Sequence, residues 1–181
     1  HIVDWVVSGL CRTRHAPNAE EASVEEVQIP KRLCEADFLR GNPGVQGSNL
    51  FMRLGLLLRA GLFDESLPSM TDRDLCIRAL DVLGYGHDAD AAAQRVRYTG
   101  TVTVRHCVRH RDRVSNDRAG KEQALRRFLW KYGPRYSAAD FEAFCSRTAF
   151  LFDIHIRALC TTAPLAQPSP SAACSDDALL T

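Results

Sequence analysis

Apolar positions in the first part of the chain follow strand-like and helix-like patterns in turn. The opening twelve residues, HIVDWVVSGLCR, are rich in Val, Ile and Trp and predict a buried strand. Residues 13–35 are polar and acidic, which predicts a surface excursion. Residues 41–53, GNPGVQGSNLFMR, place three glycines ahead of a strand-like apolar run, and the LGLLLRAG that follows predicts a short helix ending at Gly61.

The next two segments have different periods. Apolar residues three or four positions apart predict a helix that starts at a cap, Thr71 or Ser69, and ends at Gly84. Residues 94–106 instead alternate polar and apolar residues, which predicts a strand with a break at Gly100. Strands and helices therefore alternate in this half of the chain, as they do in α/β domains.

Helical patterns dominate the remainder. Residues 117–132 form an amphipathic pattern that Gly133 and Pro134 end, and a second helix is expected from Ser137. Its apolar stripe continues to Leu159 and includes His155, which we therefore expect in the core. From Thr161 the chain is rich in Pro, Ser and Ala, a composition typical of disorder. The fold class predicted is α/β with a helical C-terminal extension.

Composition narrows the functional classes. The 181 residues carry a net charge of +1, so no overall charge excess favours binding to nucleic acid. No run of about 18 apolar residues is present, which predicts no membrane span. The seven scattered cysteines form no C-x-x-C pair and favour a reducing compartment such as the cytoplasm, without excluding a secretory one. The chain begins without Met inside a strand pattern, so we expect a fragment.

Two carboxylates, Asp72 and Asp74, lie at the start of the helix predicted in TDRDLCIR. Acids in a first helical turn are stabilised by the helix dipole, and this alone explains both. A carboxylate held there also stays ionised and can act as a general base, so both interpretations stay open. Asp74 and Arg78 are four residues apart and are expected to form an ion pair along the helix.

The glycine-rich segment before this helix is either a turn into a strand or a binding loop. Ser48 and Asn49 offer hydrogen bonds, and the absence of a following Lys excludes a phosphate-binding loop of the G-x-x-x-x-G-K-[ST] type. Farther along, VRHCVRHRDRVS contains His106 and His110 among arginines. The histidines are either metal ligands or ordinary solvated or buried residues, and the arginines either contact phosphate or form a solvated face.

Several ordered pieces together resemble the second half of a family 2 glycosyltransferase with the GT-A fold. AGLFDESLPSMTDRDLCIRALDVLG is similar to the family segment G-G-F-D-E followed by E-D-x-D-L-x-x-R. NPGVQGSNLFMR precedes it as the acceptor-side loop and strand do, and TVTVRH follows it as a strand that ends in His. RVSND…GKEQALRRFLWKYGPRYS is similar to the tail of some members. The resemblance covers about residues 2–155.

The resemblance implies roles for individual residues. Asp72 matches the second letter of the E-D pair and would be the general base of an inverting sugar transfer, although Thr71 replaces the Glu. His106 would complete a site for Mg²⁺ or Mn²⁺ in the intact enzyme. The segment Gly47, Ser48 and Asn49 would line the acceptor pocket. Two further residues, Arg111 and Arg113, would neutralise the diphosphate of the nucleotide-sugar donor.

The resemblance also implies a domain organisation. Residues 1–116 would be the acceptor-side part of a GT-A domain, which is a Rossmann-like nucleotide-diphospho-sugar transferase domain. Residues 117–160 would form a C-terminal helical extension, and residues 161–181 would be a disordered tail. The nucleotide-binding half with its Asp-x-Asp motif would lie upstream, since the DAD at Asp88–Asp90 follows the base helix and is expected to be a loop. We therefore expect this chain alone to be inactive. The alternative is a non-catalytic carbohydrate- or partner-binding module that retains the fold.

Overall fold

Four strands form a mixed sheet around the central strand β1 in the computed structural model, which describes residues 2–14, 23–108 and 117–161. The strands are β1 (Trp5–Arg14), β2 (Ser23–Val27), β3 (Leu50–Met52) and β4 (Val96–Val108). β4 runs parallel to β1 and pairs with it from Trp5 to Arg14 of β1. β2 pairs antiparallel with residues 10–14 of β1, and β3 pairs antiparallel with residues 5–7 of β1. Since β4 occupies one edge of β1, β2 and β3 share the other edge end to end.

The break predicted at Gly100 is a pairing irregularity inside one continuous strand. The register moves from Val7 opposite Tyr98 to Gly9 opposite Val102, and Gly100 has a positive φ of 71°. A Cβ atom on Gly9 would lie 2.8 Å from the carbonyl oxygen of Thr101. Glycine at position 9 therefore permits the close backbone approach of the two strands at the bulge.

Seven helices are present within the described residues: α1 (Glu35–Arg40), α2 (Leu54–Arg59), α3 (Thr71–Val82), α4 (Ala89–Gln94), α5 (Arg118–Tyr132), α6 (Ala138–Phe152) and α7 (Ile156–Thr161). A 3₁₀ turn, Gly133–Arg135, joins α5 to α6. The mixed α/β class is therefore confirmed. The helices predicted at α2, α3, α5 and the start of α6 are confirmed as well.

Other local predictions were wrong. The DAD segment, expected to be a loop, is the start of α4, where Asp88 caps the helix and accepts hydrogen bonds from the amides of Asp90 and Ala91. β2 lies inside the expected surface excursion and is mostly exposed, and α1 begins at the last residue of that excursion. The single helix expected to Leu159 is two helices, because Asp153 adopts a left-handed conformation with φ of 53°. His155 consequently lies exposed between them and outside the core.

The core joins the sheet to the C-terminal helices. The ring centroids of Trp5 in β1 and Phe38 in α1 lie 6.0 Å apart. Both residues belong to one buried cluster with Leu75 of α3 and with Phe128 and Tyr132 of α5. A smaller cluster lies between α5, α6 and α7. α5 is therefore part of the main core, which fixes its position relative to the sheet and α3.

Two expectations concern the chain as a whole. Over the described residues, each helix is too short or too polar to cross a membrane. The tail expected over residues 161–181 lies outside the described residues apart from Thr161.

Candidate functional site

A cavity of about 670 Å³ lies where the C-terminal halves of β1 and β4 meet the start of α3 and the helices α5 and α6. Polar and cationic side chains share its wall with an apolar strip from α5 and α6. Its lining residues are Arg12, Arg40, Gly41, Asn42, Gln46, Ser69, Met70, Asp72, Arg73, His106, Lys121, Leu125, Phe144, Arg147, Thr148, Leu151 and Phe152. The cavity thus brings together two of the residues that the sequence singled out, Asp72 and His106.

Asp72 occupies the first turn of α3 and faces this cavity. The helix begins after Met70, a left-handed residue with φ of 65°, and neither Thr71 nor Ser69 acts as the predicted side-chain cap. Burial raises the pKa of the Asp72 carboxyl, and a hydrogen bond donated by the backbone N–H of Gly47 opposes that rise. The carboxylate is therefore half-buried and held by one backbone donor, which suits a group that must accept a proton.

Asp74 is positioned differently, although it lies in the same helical turn. Its side chain is fully buried and its carboxylate receives hydrogen bonds from Arg78 Nε at 2.8 Å and Tyr132 Oη at 2.7 Å. Lys131 Nζ lies 2.6 Å from Asp74 Oδ1. The predicted ion pair between Asp74 and Arg78 is confirmed, and Asp74 holds α3 against α5.

The loop of residues 41–49 supports Asp72 from one side. Asn49 is fully buried, donates to the carbonyl oxygens of Ser8 and Gly44 at 2.9 and 3.0 Å, and accepts from the amide of Gln46 at 2.7 Å. Ser48 is exposed, and Gly47 contacts Asp72 through its N–H. Of the three residues expected to line an acceptor pocket, Gly47 therefore touches the candidate base, and Asn49 stabilises the loop from inside instead of facing the cavity.

His106 reaches the cavity from β4. It is paired in parallel register with Arg12 of β1, and both side chains line the cavity wall. Within the described residues no group of three or more His, Cys, Asp or Glu is placed to hold a metal ion. His106 is therefore a single candidate ligand within the described part of the chain, and no step below depends on a metal.

Arg111 and Arg113, expected at the donor diphosphate, lie outside the described residues. The cavity contains other cations instead, each from a different element: Arg12 of β1, Arg40 at the end of α1, Arg73 of α3, Lys121 of α5 and Arg147 of α6. Sequence reasoning did not single out Arg12, Arg40 or Arg147. These three carry no spacing signal, because only the packing of separate elements brings them to one cavity.

Arg73 is the most deeply buried of these cations. Its guanidinium donates from Nε to the carbonyl oxygen of Phe38 at 2.9 Å and lies 4.4 Å from the ring centroid of Phe128. Burial lowers its pKa to about 10, and the charge of Arg147 contributes in the same direction. Arg73 therefore places a positive charge, held by carbonyl oxygens and aromatic rings, at the back of the cavity.

The apolar strip belongs to the outer wall. Leu151 and Phe152 are about half exposed there, and Lys121 Nζ lies 3.9 Å from the centroid of the Phe152 ring. Burial lowers the pKa of Lys121. The cavity thus offers a ligand one carboxylate, several cations and a small apolar surface.

Comparison with known proteins adds no relative. No family model, no curated protein and no solved structure matches the chain.

Proposed function

We propose that the chain is the acceptor-side part of a glycosyltransferase of family 2, with a GT-A fold, which in the intact protein transfers a sugar from a nucleotide-sugar donor to an acceptor hydroxyl. The proposal rests on the sequence resemblance, and one observation in the structure supports it. Asp72, the residue that the resemblance assigns as the base, faces a cavity large enough for a small ligand instead of packing into the core.

The proposed reaction is a single displacement. The acceptor hydroxyl would transfer its proton to the Asp72 carboxylate as its oxygen attacks the anomeric carbon of the donor. The new C–O bond forms as the bond to the donor diphosphate breaks, and the electron pair of that bond leaves with the diphosphate. Attack from the opposite face inverts the anomeric configuration. Because its pKa is raised, the Asp72 carboxylate is a stronger base than an ordinary aspartate and accepts a proton more readily near neutral pH.

The cavity supports the other parts of this proposal to different degrees. The cations from five elements suit a reaction in which negative charge develops on a leaving phosphate. His106 lines the same cavity as Asp72, as the resemblance requires, but supplies only one ligand toward the Mg²⁺ or Mn²⁺ that the intact enzyme would use. Donor selection would belong to the upstream half.

The test is the substitution Asp72→Asn in the protein expressed with its upstream coding sequence. Release of nucleoside diphosphate from a panel of nucleotide sugars should fall by at least about 100-fold, which is the usual contribution of a general base. Asp90→Asn is the matched control, since Asp90 also lies in a first helical turn but is exposed and outside this cavity. The control should retain transfer.

The outcome separates the enzyme from the binding module. Undiminished transfer by the Asp72→Asn variant would disprove the role of Asp72 as base. If the wild-type protein binds carbohydrate but transfers no sugar from any donor, and Asp72→Asn binds equally well, the protein is a binding module instead.

A further inference from the structure

Three guanidinium groups of the cavity, those of Arg12, Arg73 and Arg147, have no carboxylate partner among the described residues. Arg73 is bound by carbonyl oxygens and aromatic rings, and Arg147 donates from Nη2 to the carbonyl oxygen of Asn42 at 3.1 Å. Arg40 differs, because it forms an ion pair with Asp140 at 2.5 Å. Asp72 is the one carboxylate among the described lining residues. Collecting like charges in one partly buried cavity costs stability unless a ligand supplies negative charge.

Arg147 is held over the backbone by a specific contact. A Cβ atom on Gly41 would lie 2.5 Å from Cδ and Nε of Arg147, so any larger residue at position 41 would displace the Arg147 side chain from this place. The φ of Gly41 is 170°, an extended conformation open to any residue, so the contact with Arg147 explains the glycine better than backbone strain does. Both residues line the cavity.

The same loop connects Arg147 to Asp72. Arg147 contacts its start through Gly41 and Asn42, and the Gly47 N–H at its other end holds the Asp72 carboxylate. Between these points the Asn42 side chain accepts from the amide of Gly44 and donates to the carbonyl oxygen of Val45, both at 2.8 Å. The internally bonded loop therefore contacts both side chains, and both line the same cavity, so one ligand that fills the cavity can contact both.

We infer that the acceptor bound in this cavity carries a phosphate group, recognised by Arg147 with the buried charge of Arg73 behind it. A guanidinium has five N–H donors and pairs with phosphate oxygens in a bidentate manner, and the structure uses one donor of Arg147 for Asn42. A phosphate monoester carries a charge of about −1.5 to −2 at neutral pH, which suits a cavity wall whose Arg147 and Arg73 lack carboxylate partners among the described residues. The inference rests on the proposed function only in assigning this ligand as the acceptor.

The test measures binding instead of transfer. Calorimetric titrations of the 181-residue chain with glucose 6-phosphate and with glucose, at constant ionic strength, serve as probes of a phosphate on a hydroxyl-bearing molecule. Glucose 6-phosphate should bind at least about ten-fold more tightly than glucose, the change expected for one charge-assisted pair. Arg147→Gln should remove most of that difference, and Arg147→Lys should restore part of it.

Two further variants sharpen the result. Gly41→Ala keeps every charge but displaces the Arg147 side chain, so it should weaken glucose 6-phosphate binding without lowering stability appreciably. Arg157→Gln removes the same charge from an exposed position paired with Glu142 and outside the cavity, so it should leave binding unchanged. Circular dichroism spectra of all variants check that they are folded.

Three outcomes would overturn the inference. The first is equal binding of glucose and glucose 6-phosphate, and the second is an equal loss of glucose 6-phosphate binding in the Arg147 and Arg157 variants. The third is that Arg147→Gln weakens the binding of uridine diphosphate, titrated in the same way, but not that of glucose 6-phosphate. The last outcome would assign the cations to the donor. These titrations measure binding and not transfer, so a failure of the proposed transfer chemistry does not change their outcome.

Discussion

Removing the Asp74 carboxylate should destabilise the protein strongly, because the structure surrounds it with donors. The side chain is fully buried and contacts Arg78, Lys131 and Tyr132 at 2.6–2.8 Å. Breaking a buried charge pair by removing one partner typically costs about 3–5 kcal/mol. Arg78 and Lys131 retain side-chain exposures of 19% and 31%, so water can partly solvate them, which favours the lower end.

We therefore expect Asp74→Ala to lower the free energy of unfolding by about 3 kcal/mol, a large part of the roughly 5–15 kcal/mol that stabilises a typical domain. The midpoint of thermal unfolding should fall by about 6–12 °C for a chain of this size. Urea denaturation followed by tryptophan fluorescence and far-ultraviolet circular dichroism measures the change. Coincident transitions from the two probes would establish two-state unfolding and justify the comparison.

The matched control is Asp81→Ala on the same helix. Asp81 pairs with Arg135, but its side chain is 45% exposed, so its loss should cost less than about 1 kcal/mol. A loss for Asp74→Ala no larger than that of the control would show that the three contacts contribute little net stability. It would also remove the reason for separating the role of Asp74 from that of Asp72.

Two other residues give separate predictions. Asn49→Ala should lower the free energy of unfolding, measured by urea denaturation, by about 2–4 kcal/mol, because it leaves the amide of Gln46 and the carbonyls of Ser8 and Gly44 without their partner. The control Ser48→Ala, at an exposed position, should be nearly neutral. A change in acceptor KM without loss of stability would assign Asn49 to binding instead. Burial raises the pKa of Asp72, so its ionised form destabilises the folded state: this penalty is absent below the ordinary value of about 4, grows as the pH rises, and is complete above the raised value. Asp72→Asn should therefore stabilise the protein at neutral pH, with a gain that shrinks on acidification, and a constant gain from pH 3 to pH 8 would contradict the raised pKa. The transfer rate of the wild-type protein should also rise as the pH passes through that value.

Local patterns predicted the elements that have strong periodicity and left out those that depend on neighbours. α3 and α5 carry apolar residues at helical spacing and a glycine stop signal, and both form where expected. β2, with sequence SVEEV, is mostly exposed and lacks an apolar face, so its strand conformation depends on pairing with β1. α1 and α4 have six residues each, too short for periodicity to distinguish them from turns, and they lack the run of leucines that marks the equally short α2.

The candidate site divides in the same way. Asp72 could be proposed from its motif, since the residue and its helix are local in sequence. The cations around it could not, because β1, α1, α5 and α6 each contribute one through long-range packing. The contact of Arg147 with Gly41 spans more than 100 residues and has no signature in either segment. Patterns of neighbouring residues therefore indicate the candidate base, while the charge that selects its ligand emerges only from the folded arrangement.

The different roles of Asp72 and Asp74 follow from helix geometry and from the partners that each side chain meets. Residues two apart on an α-helix point about 200° apart, so one turn directs these carboxylates to nearly opposite sides. The Asp74 side faces α5, where three donors already occupy its oxygens and the side chain is fully buried, so it is closed to a ligand. The Asp72 side faces the cavity, where the described contact is the backbone N–H of Gly47 and burial raises its pKa. The helix dipole stabilises both residues equally, so it cannot distinguish them; the neighbouring elements do, and they favour Asp72 as the base.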